Sequence, residues 1–291
     1  LKQPAGEAEY VIEGIPYNHN RTHVYEMDFS PLREQGRYKL IVEGIGCSFD
    51  FLVDDEIWEN TARLLMKGFL HQRAGIELGP PYTDYIRPRN LHPADGHTIH
   101  KCDPEKYSAA PRGHFTAIQQ SILKETSVPE AWGGWMDAGD YDRRMKHFYT
   151  VRRMMYLHEL NPQYFEKLDF NIPESSNKIP DILDEALWCL DLFKRTQGAY
   201  EEGAVSSWVE SVEHPRHGET SWLNSLPTAI IPPTASACID YAGVAAHMAI
   251  LLRKYDADLA LPPWSGRTGI LIPLPGQEEE RHGMTPKRPP I

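Results

Sequence analysis

The hydrophobic period of this 291-residue chain changes once, near residue 55, and that change rules out a single uniform layer. Before it, residues 9–12, 22–29, 37–42 and 48–53 alternate apolar and polar at period two, with turn residues such as Gln35-Gly36 and Gly44-Ile45-Gly46 between them, which predicts short strands. After it, Ile57, Thr61, Leu64, Leu65, Gly68 and Phe69 fall on one face of a helix that runs to Gln72. Further helical patterns cover 143–160, 181–197 and 235–254, separated by Pro-, Gly- and His-rich stretches over 75–130 and 199–233 that read as mostly loop. The reading is a mainly α chain in three parts: a β module over 1–54, a helical domain over 55–260, and a segment over 261–291 with many prolines and no helical period.

Within the helical part, Trp132-Gly133-Gly134-Trp135-Met136-Asp137-Ala138-Gly139-Asp140-Tyr141-Asp142 carries two carboxylates, Asp137 and Asp140, in a glycine-rich turn between indole rings. Glycines let the backbone approach a ligand closely, and tryptophan faces suit the CH groups of sugars. The plainer reading is that Asp137 and Asp140 cap a helix beginning near Tyr141. One cap does not need a second acid, so paired-acid chemistry on a sugar is favoured. In 181–197, Ile182, Leu183, Ala186, Leu187, Leu190 and Phe193 form an inward stripe, and Asp181, Asp184 and Glu185 crowd the first turn, which reads as structural. In 235–254 the apolar positions are Ile239, Ala242, Val244, Ala246 and Leu251.

A formal net charge of −11 argues against nucleic acid and against an anionic membrane surface as partners. No run of 18 or more apolar residues occurs, which argues against a spanning helix. With 41% hydrophobic residues the chain can bury a sizeable core, and four scattered cysteines do not make a disulfide framework. His92, His97, His100, Cys102 and Asp103 lie close enough in sequence to suggest a metal, with His97 and Cys102 as the ligands by type.

The run Gly133 to Asp142 resembles the catalytic-base motif of glycoside hydrolase family 9, the inverting cellulases. Pro180-Asp181-Ile182-Leu183-Asp184-Glu185-Ala186 resembles that family's next signature, and the likeness extends over residues 10 to 260. The resemblance implies the first half of an (α/α)6 toroid, preceded by part of an immunoglobulin-like β-sandwich. It implies an O-glycosyl hydrolase of β-1,4-glucans or cello-oligosaccharides, with Asp140 as the base that activates water and Asp137 holding the water or tuning that base. It further implies sugar subsites at Trp132, Trp135, Tyr141, Trp208, His214 and Trp222, no required cofactor, and a secreted or periplasmic bacterial protein. Some family members hold a structural zinc near here; their first cysteine would fall at Ala74, and a structural zinc or calcium is the metal reading. The family's general acid is a glutamate beyond the matched part, so the 291-residue chain alone is expected to be inactive. The segment 261–291 matches nothing in the family and reads as a truncated end, a shifted reading frame or a disordered tail. Many members have Tyr-Gly-Lys where this chain has Tyr141-Asp142-Arg143, which leaves an exo-acting enzyme or one on amino sugars as alternatives, beside a non-catalytic carbohydrate-binding protein.

Overall fold

A computed structural model describes residues 10–12, 15–17, 28–111, 113, 115–137 and 141–255. The expected strand over 22–29 lies largely outside these residues, as do Asp140 and the segment 261–291. The chain divides into two compact units, Leu1–Ala62 and Arg63–Ile291.

In the first unit the described strands form antiparallel pairs. β1 (Tyr10–Ile12) pairs with β2 (Ile15–Tyr17), β3 (Gly36–Tyr38) with β6 (Phe51–Val53), and β4 (Ile41–Val42) with β5 (Gly46–Cys47). The predicted strands over 37–42 and 48–53 are therefore shorter than their alternation suggested. Phe29, Tyr38 and Phe51 gather into an aromatic cluster, with the Phe29 and Phe51 ring centres 5.3 Å apart. Among the described residues no sheet in this unit is wider than two strands.

Among the described residues the helices that follow are α1 (Ile57–Gln72), α2 (Pro104–Ala109), α3 (Thr116–Ser121), α4 (Phe148–Leu160), α5 (Pro162–Phe165), α6 (Asp181–Arg195) and α7 (Ala235–Leu252). In the second unit α4 packs on α6 and α7, and Phe148 joins all three, 4.9 Å from the Phe193 ring and 6.1 Å from Tyr241. The α6 stripe is buried as its spacing predicts at Ile182, Leu183, Ala186, Leu190 and Phe193. Its acidic first turn and its last turn with Lys194 and Arg195 both suit the helix dipole. In α7, Thr234 caps the helix by accepting from the Ala237 amide at 3.1 Å. Its buried face is Ala237, Tyr241, Val244, Met248 and Leu252, whereas the apolar Ile239 is 56% exposed. Over its 18 residues α7 has mean hydropathy 1.5, long and apolar enough by composition to cross a membrane. Here it packs on α4 and α6 through its buried residues, while Asp240 pairs with Arg152 at 3.0 Å.

Two expectations change. The helix predicted from Arg143 begins only at Phe148, after a 3-10 turn over Met145–His147, because Arg143 and Arg144 are drawn into a strand. The stretches read as mostly loop contain a five-stranded sheet. Its strands are β7 (Ile99–Cys102), β8 (Ile122–Leu123), β9 (Arg143–Arg144), β10 (Trp208–Ser211) and β11 (Thr228–Ile230), in the order β8-β7-β11-β10-β9. Only the β7–β11 pair is parallel. Strands of two to four residues such as Ile-His-Lys-Cys are too short to show a period, which is why the sheet is invisible until its partners are known.

A buried ion network joins the end of α1 to the start of α6. Arg73, fully buried, donates from Nε and Nη2 to Glu185 at 3.0–3.2 Å and from Nη1 to both Glu174 oxygens at 3.0 Å. Trp135 Nε1 donates to the same Glu185 at 2.7 Å, so that carboxylate accepts from three groups. Burial pushes the Glu185 carboxyl up, and Arg73 and Trp135 pull it back. The other two acids of the triplet are also tied locally. Asp181 accepts from the Phe170 amide and from Ser175 Oγ, and Asp184 accepts from Asn177, with burial raising Asp184 to about 7. The triplet is structural, as its place in the first turn suggested.

Candidate active site

The glycine-rich motif is an extended segment stitched to the end of α1. Arg73 and Trp135 form an antiparallel bridge, Ala74 N donates to Gly134 O at 2.9 Å, and Met136 N donates to Gln72 O at 2.8 Å. Trp188 from α6 adds a bond to Gly134 O at 3.1 Å. Gly134 sits at φ +73°, and a Cβ there would stand 2.7 Å from Leu192 Cδ2, so both the backbone and the space demand glycine.

Asp137 follows on this rigid segment. Its amide donates to the Asp142 carbonyl at 2.7 Å, and the two residues form an antiparallel bridge. Its carboxylate is 29% exposed and faces Lys146, which forms an ion pair with it, and His147, whose Nε2 lies 4.0 Å away. Burial works to raise the Asp137 carboxyl, but the Lys146 bond and charge, with His147 and Arg144 behind them, hold it below the ordinary value. It is therefore an ionised, partly accessible acid. The capping reading fails for it, because the helix starts at Phe148 with His147 in the cap position. Asp140, the partner acid, lies outside the described residues together with Ala138 and Gly139.

A second ion network follows the motif. Tyr141 has φ +60°, its Oη donates to the Glu219 carbonyl at 3.1 Å, and its own carbonyl accepts from Arg143 Nη1 at 2.8 Å. Asp142, which breaks the Tyr-Gly-Lys pattern, is buried and paired with Arg144 rather than with the adjacent Arg143. Arg144 Nη2 also reaches Glu210 Oε2 on β10 at 2.5 Å, so the acid after the motif is anchored to the sheet. Arg143 is wholly buried, and burial lowers its guanidinium to about 10. Glu210 is 0% exposed, which removes it from the loop acids facing solvent.

Several residues expected to touch sugar are committed elsewhere. Trp135 is 3% exposed, packed 5.0 Å from the Phe69 ring and bonded to Glu185, so it is a core residue and not a sugar platform. Trp132 is half-buried, with the Arg195 guanidinium 4.4 Å over its ring and His92 4.4 Å away, so its ring is already engaged by protein groups. Trp208 packs against the apolar cluster of Cys102, Ile118, Ala229 and Ile231 and meets the Arg144 guanidinium at 5.8 Å, which makes it a core anchor. His214 is exposed and stands edge-on to Phe115 at 4.7 Å. Trp222 is half-buried and lines a cavity with His97 and His100. Tyr141 is half-buried beside the acid loop.

The metal reading does not fit. Cys102 is fully buried in the apolar cluster, where burial raises its thiol, and His97 Nε2 is bonded to Thr228 Oγ1 at 2.9 Å. Ala74, where the resemblance puts a cysteine, packs with Leu91, Met136 and Tyr141. Among the described residues no group of three or more His, Cys, Asp or Glu is placed to hold an ion. Sequence reasoning missed Lys146, Arg144 and Arg73 as partners of acids, since a cation in a sequence shows no sign of which acid it will meet.

Comparison with known proteins points the same way as the motif. The model of Glycosyl hydrolase family 9 matches residues 58–262. A xyloglucan-specific endo-β-1,4-glucanase of Bacteroides ovatus is 27% identical over 238 residues, covering 80% of this chain and 36% of that protein. Endoglucanase D of Acetivibrio thermocellus is 26% identical over 251 residues, covering 84% and 36%. A cellulose 1,4-β-cellobiosidase of Acetivibrio thermocellus is 25% identical over 267 residues, covering 83% and 28%. Among solved structures, a metagenome-derived glycoside hydrolase family 9 endoglucanase superposes with TM-score 0.67 at 24% identity, over 82% of this chain and 39% of that one. A Bacteroides ovatus family 9 structure gives TM-score 0.64 at 24% identity, over 81% and 40%. The fold is thus that of these structures, and the chain spans little more than a third of the length of the first two relatives.

Proposed function

The chain belongs to glycosyl hydrolase family 9, and on that premise we propose that the protein carrying it hydrolyses β-1,4-linked glucans or cello-oligosaccharides with inversion. The observation that carries this reading is Asp137, held ionised by Lys146 at the end of the segment bridged to α1, three residues before Asp140. In the proposed mechanism Asp140 takes the proton of a water that attacks the anomeric carbon from the face opposite the leaving oxygen. Asp137 accepts a second hydrogen bond from that water, and its charge raises the proton affinity of Asp140.

An inverting reaction needs a second, protonated carboxyl about 6.5 to 9.5 Å from the base, to donate to the leaving oxygen. By family resemblance that acid is a glutamate from a later part of the toroid than these residues represent. Residues 55–260 would then form the first half of an (α/α)6 toroid, residues 1–54 part of an immunoglobulin-like module, and 261–291 a segment outside both. The setting proposed for the protein is secreted or periplasmic.

The 291-residue chain alone should release no reducing sugar from soluble β-1,4-glucan, while the same chain extended to a complete family 9 toroid should release it steadily. Turnover by the unextended chain would mean that the acid is one of its own carboxyls. Exo action is the second reading, supported by the cellobiosidase relative. A product mixture dominated by cellobiose from the first minutes would favour it over endo cleavage.

A further inference from the structure

We propose that His147 is a positioning residue for Asp137, completing with Lys146 a two-sided clamp on that carboxylate; the inference deepens the hydrolase reading above and rests on it. The two side chains reach different oxygens of the one acid. Lys146 Nζ pairs with Oδ2, and His147 Nε2 lies 4.0 Å from Oδ1.

Nothing in the local structure asks for these side chains here. Lys146 and His147 end the 3-10 turn over Met145–His147 immediately before α4, at the positive end of that helix, where cations are disfavoured. His147 stands in the cap position with helical dihedrals and makes no side-chain capping bond, so its ring does not serve the helix. On a 3-10 turn neighbouring side chains point about a third of a turn apart, which lets two consecutive residues take one carboxylate from two sides. A local preference overridden at both positions marks a demand from elsewhere in the fold, and Asp137 is the group that meets both.

The motif fixes where the ring sits. Trp135 and Asp137 are two apart on the extended segment bridged to α1, so their side chains share a face. His147 lies against both, with its ring centre 6.3 Å from that of Trp135 and its side chain 16% exposed. Trp135 is locked in turn by its bond to Glu185 at 2.7 Å, and the start of α4 is locked by Phe148 against Phe193. Both halves of the clamp are therefore anchored in the core.

At 4.0 Å the contact is too long for a hydrogen bond, so its strength depends on the charge of the imidazole. Burial lowers the His147 imidazole, Asp137 raises it, and Lys146 and Arg144 lower it further; these are the charged groups that bear on the ring among the described residues. With Lys146 on Oδ2, Oδ1 is the oxygen left to accept a hydrogen bond from the attacking water. A protonated His147 helps to keep that carboxylate ionised as the pH falls. A neutral one leaves the task to Lys146.

Two measurements test the clamp, and the first needs no turnover. Proton NMR follows the titration of the His147 ring in the 291-residue chain, in Asp137→Asn and in Lys146→Met. The midpoint should fall by about one pH unit in Asp137→Asn, the low end of the shift that an opposite charge within 4–6 Å produces, and should rise in Lys146→Met. The second is the pH–rate profile of the completed toroid carrying His147→Phe, which keeps a ring beside Trp135 but cannot be protonated. Its acidic limb should move upward, by less than in Lys146→Met, because the carboxylate loses the more distant of its two cations. A His147 midpoint that is the same in Asp137→Asn as in the parent overturns the proposal, and so does an unmoved limb in a folded His147→Phe. The Asp137→Asn titration keeps the test decisive should His147→Phe misfold. A completed toroid without any turnover would sink the hydrolase reading instead, with the NMR titration still deciding whether the clamp exists.

Discussion

Arg73→Met should destabilise the larger unit of the chain by about 3–5 kcal/mol, the usual cost of removing one partner from a buried ion pair. The reason lies in what would be left behind. Glu185 is fully buried and would keep only the Trp135 indole as a donor, while Glu174, half-buried at 30% exposure, would lose its cation. Two carboxylates would then face each other across the junction of α1 and α6, with the carbonyls of Arg73 and His71 still bound by Arg87. Because the motif strand is bridged to Arg73 through Trp135, the acid loop should loosen as well. Urea denaturation followed by circular dichroism measures this; a midpoint within error of the parent would show that the network contributes specificity and not stability. Glu185→Gln is the useful comparison, since an amide still accepts one bond but leaves Arg73 with less compensation.

The second large effect concerns the acids themselves. In the completed toroid, Asp140→Asn should lower the rate by about 10² to 10⁴, the range for a general base. Asp137→Asn should cost less, because an amide oxygen still accepts a bond from water but no longer supports the base with its charge. Lys146→Met separates their roles. Lys146 holds Asp137 below its ordinary value, so removing it lets the Asp137 carboxyl take up a proton at higher pH. The acidic limb of the pH–rate profile should therefore move upward in Lys146→Met, with the rate at its plateau little changed. A limb that stays in place would mean that Asp137 is not one of the groups the profile reports.

How far the sequence alone reaches is shown by particular elements. The helix α6 was legible because every local signal agrees: Pro180 before it, acids in its first turn, an unbroken apolar stripe, and Lys194 and Arg195 at its end. The start of α4 was not, because Arg143 and Arg144 pair with Val209 and Trp208, residues far along the chain whose claim on them no local window reveals. The buried face of α7 was not legible for a different reason. Its composition is apolar nearly all round, so periodicity cannot choose between Ile239 and Tyr241, and packing against α4 and α6 decides. At the site, Asp140 lies outside the described residues, Asp137 is the partly exposed acid that the spacing and glycines singled out, and the tryptophans were not legible. An indole reads the same whether its face meets sugar or its Nε1 meets a glutamate 50 residues further on, as Trp135 does.

The reading of Asp142 shows where resemblance ends and structure begins. A charged residue in place of the family's glycine suggested a charge pair beside the base and a shifted substrate preference. The carboxylate instead turns inward to Arg144, which also holds Glu210, so its first effect is to pin the loop to β10. Any change in product pattern would act through the position of that loop.

The measurement that tests the central claim most directly is the anomeric configuration of the first product. Proton NMR of cello-oligosaccharide hydrolysis by the completed toroid, read before mutarotation equilibrates, distinguishes direct attack by an activated water from a covalent route. The account predicts that the α-anomer of the new reducing end appears first, and that its signal disappears in Asp140→Asn. Initial accumulation of the β-anomer would contradict it, because a water activated by Asp140 cannot retain the configuration of the bond it breaks.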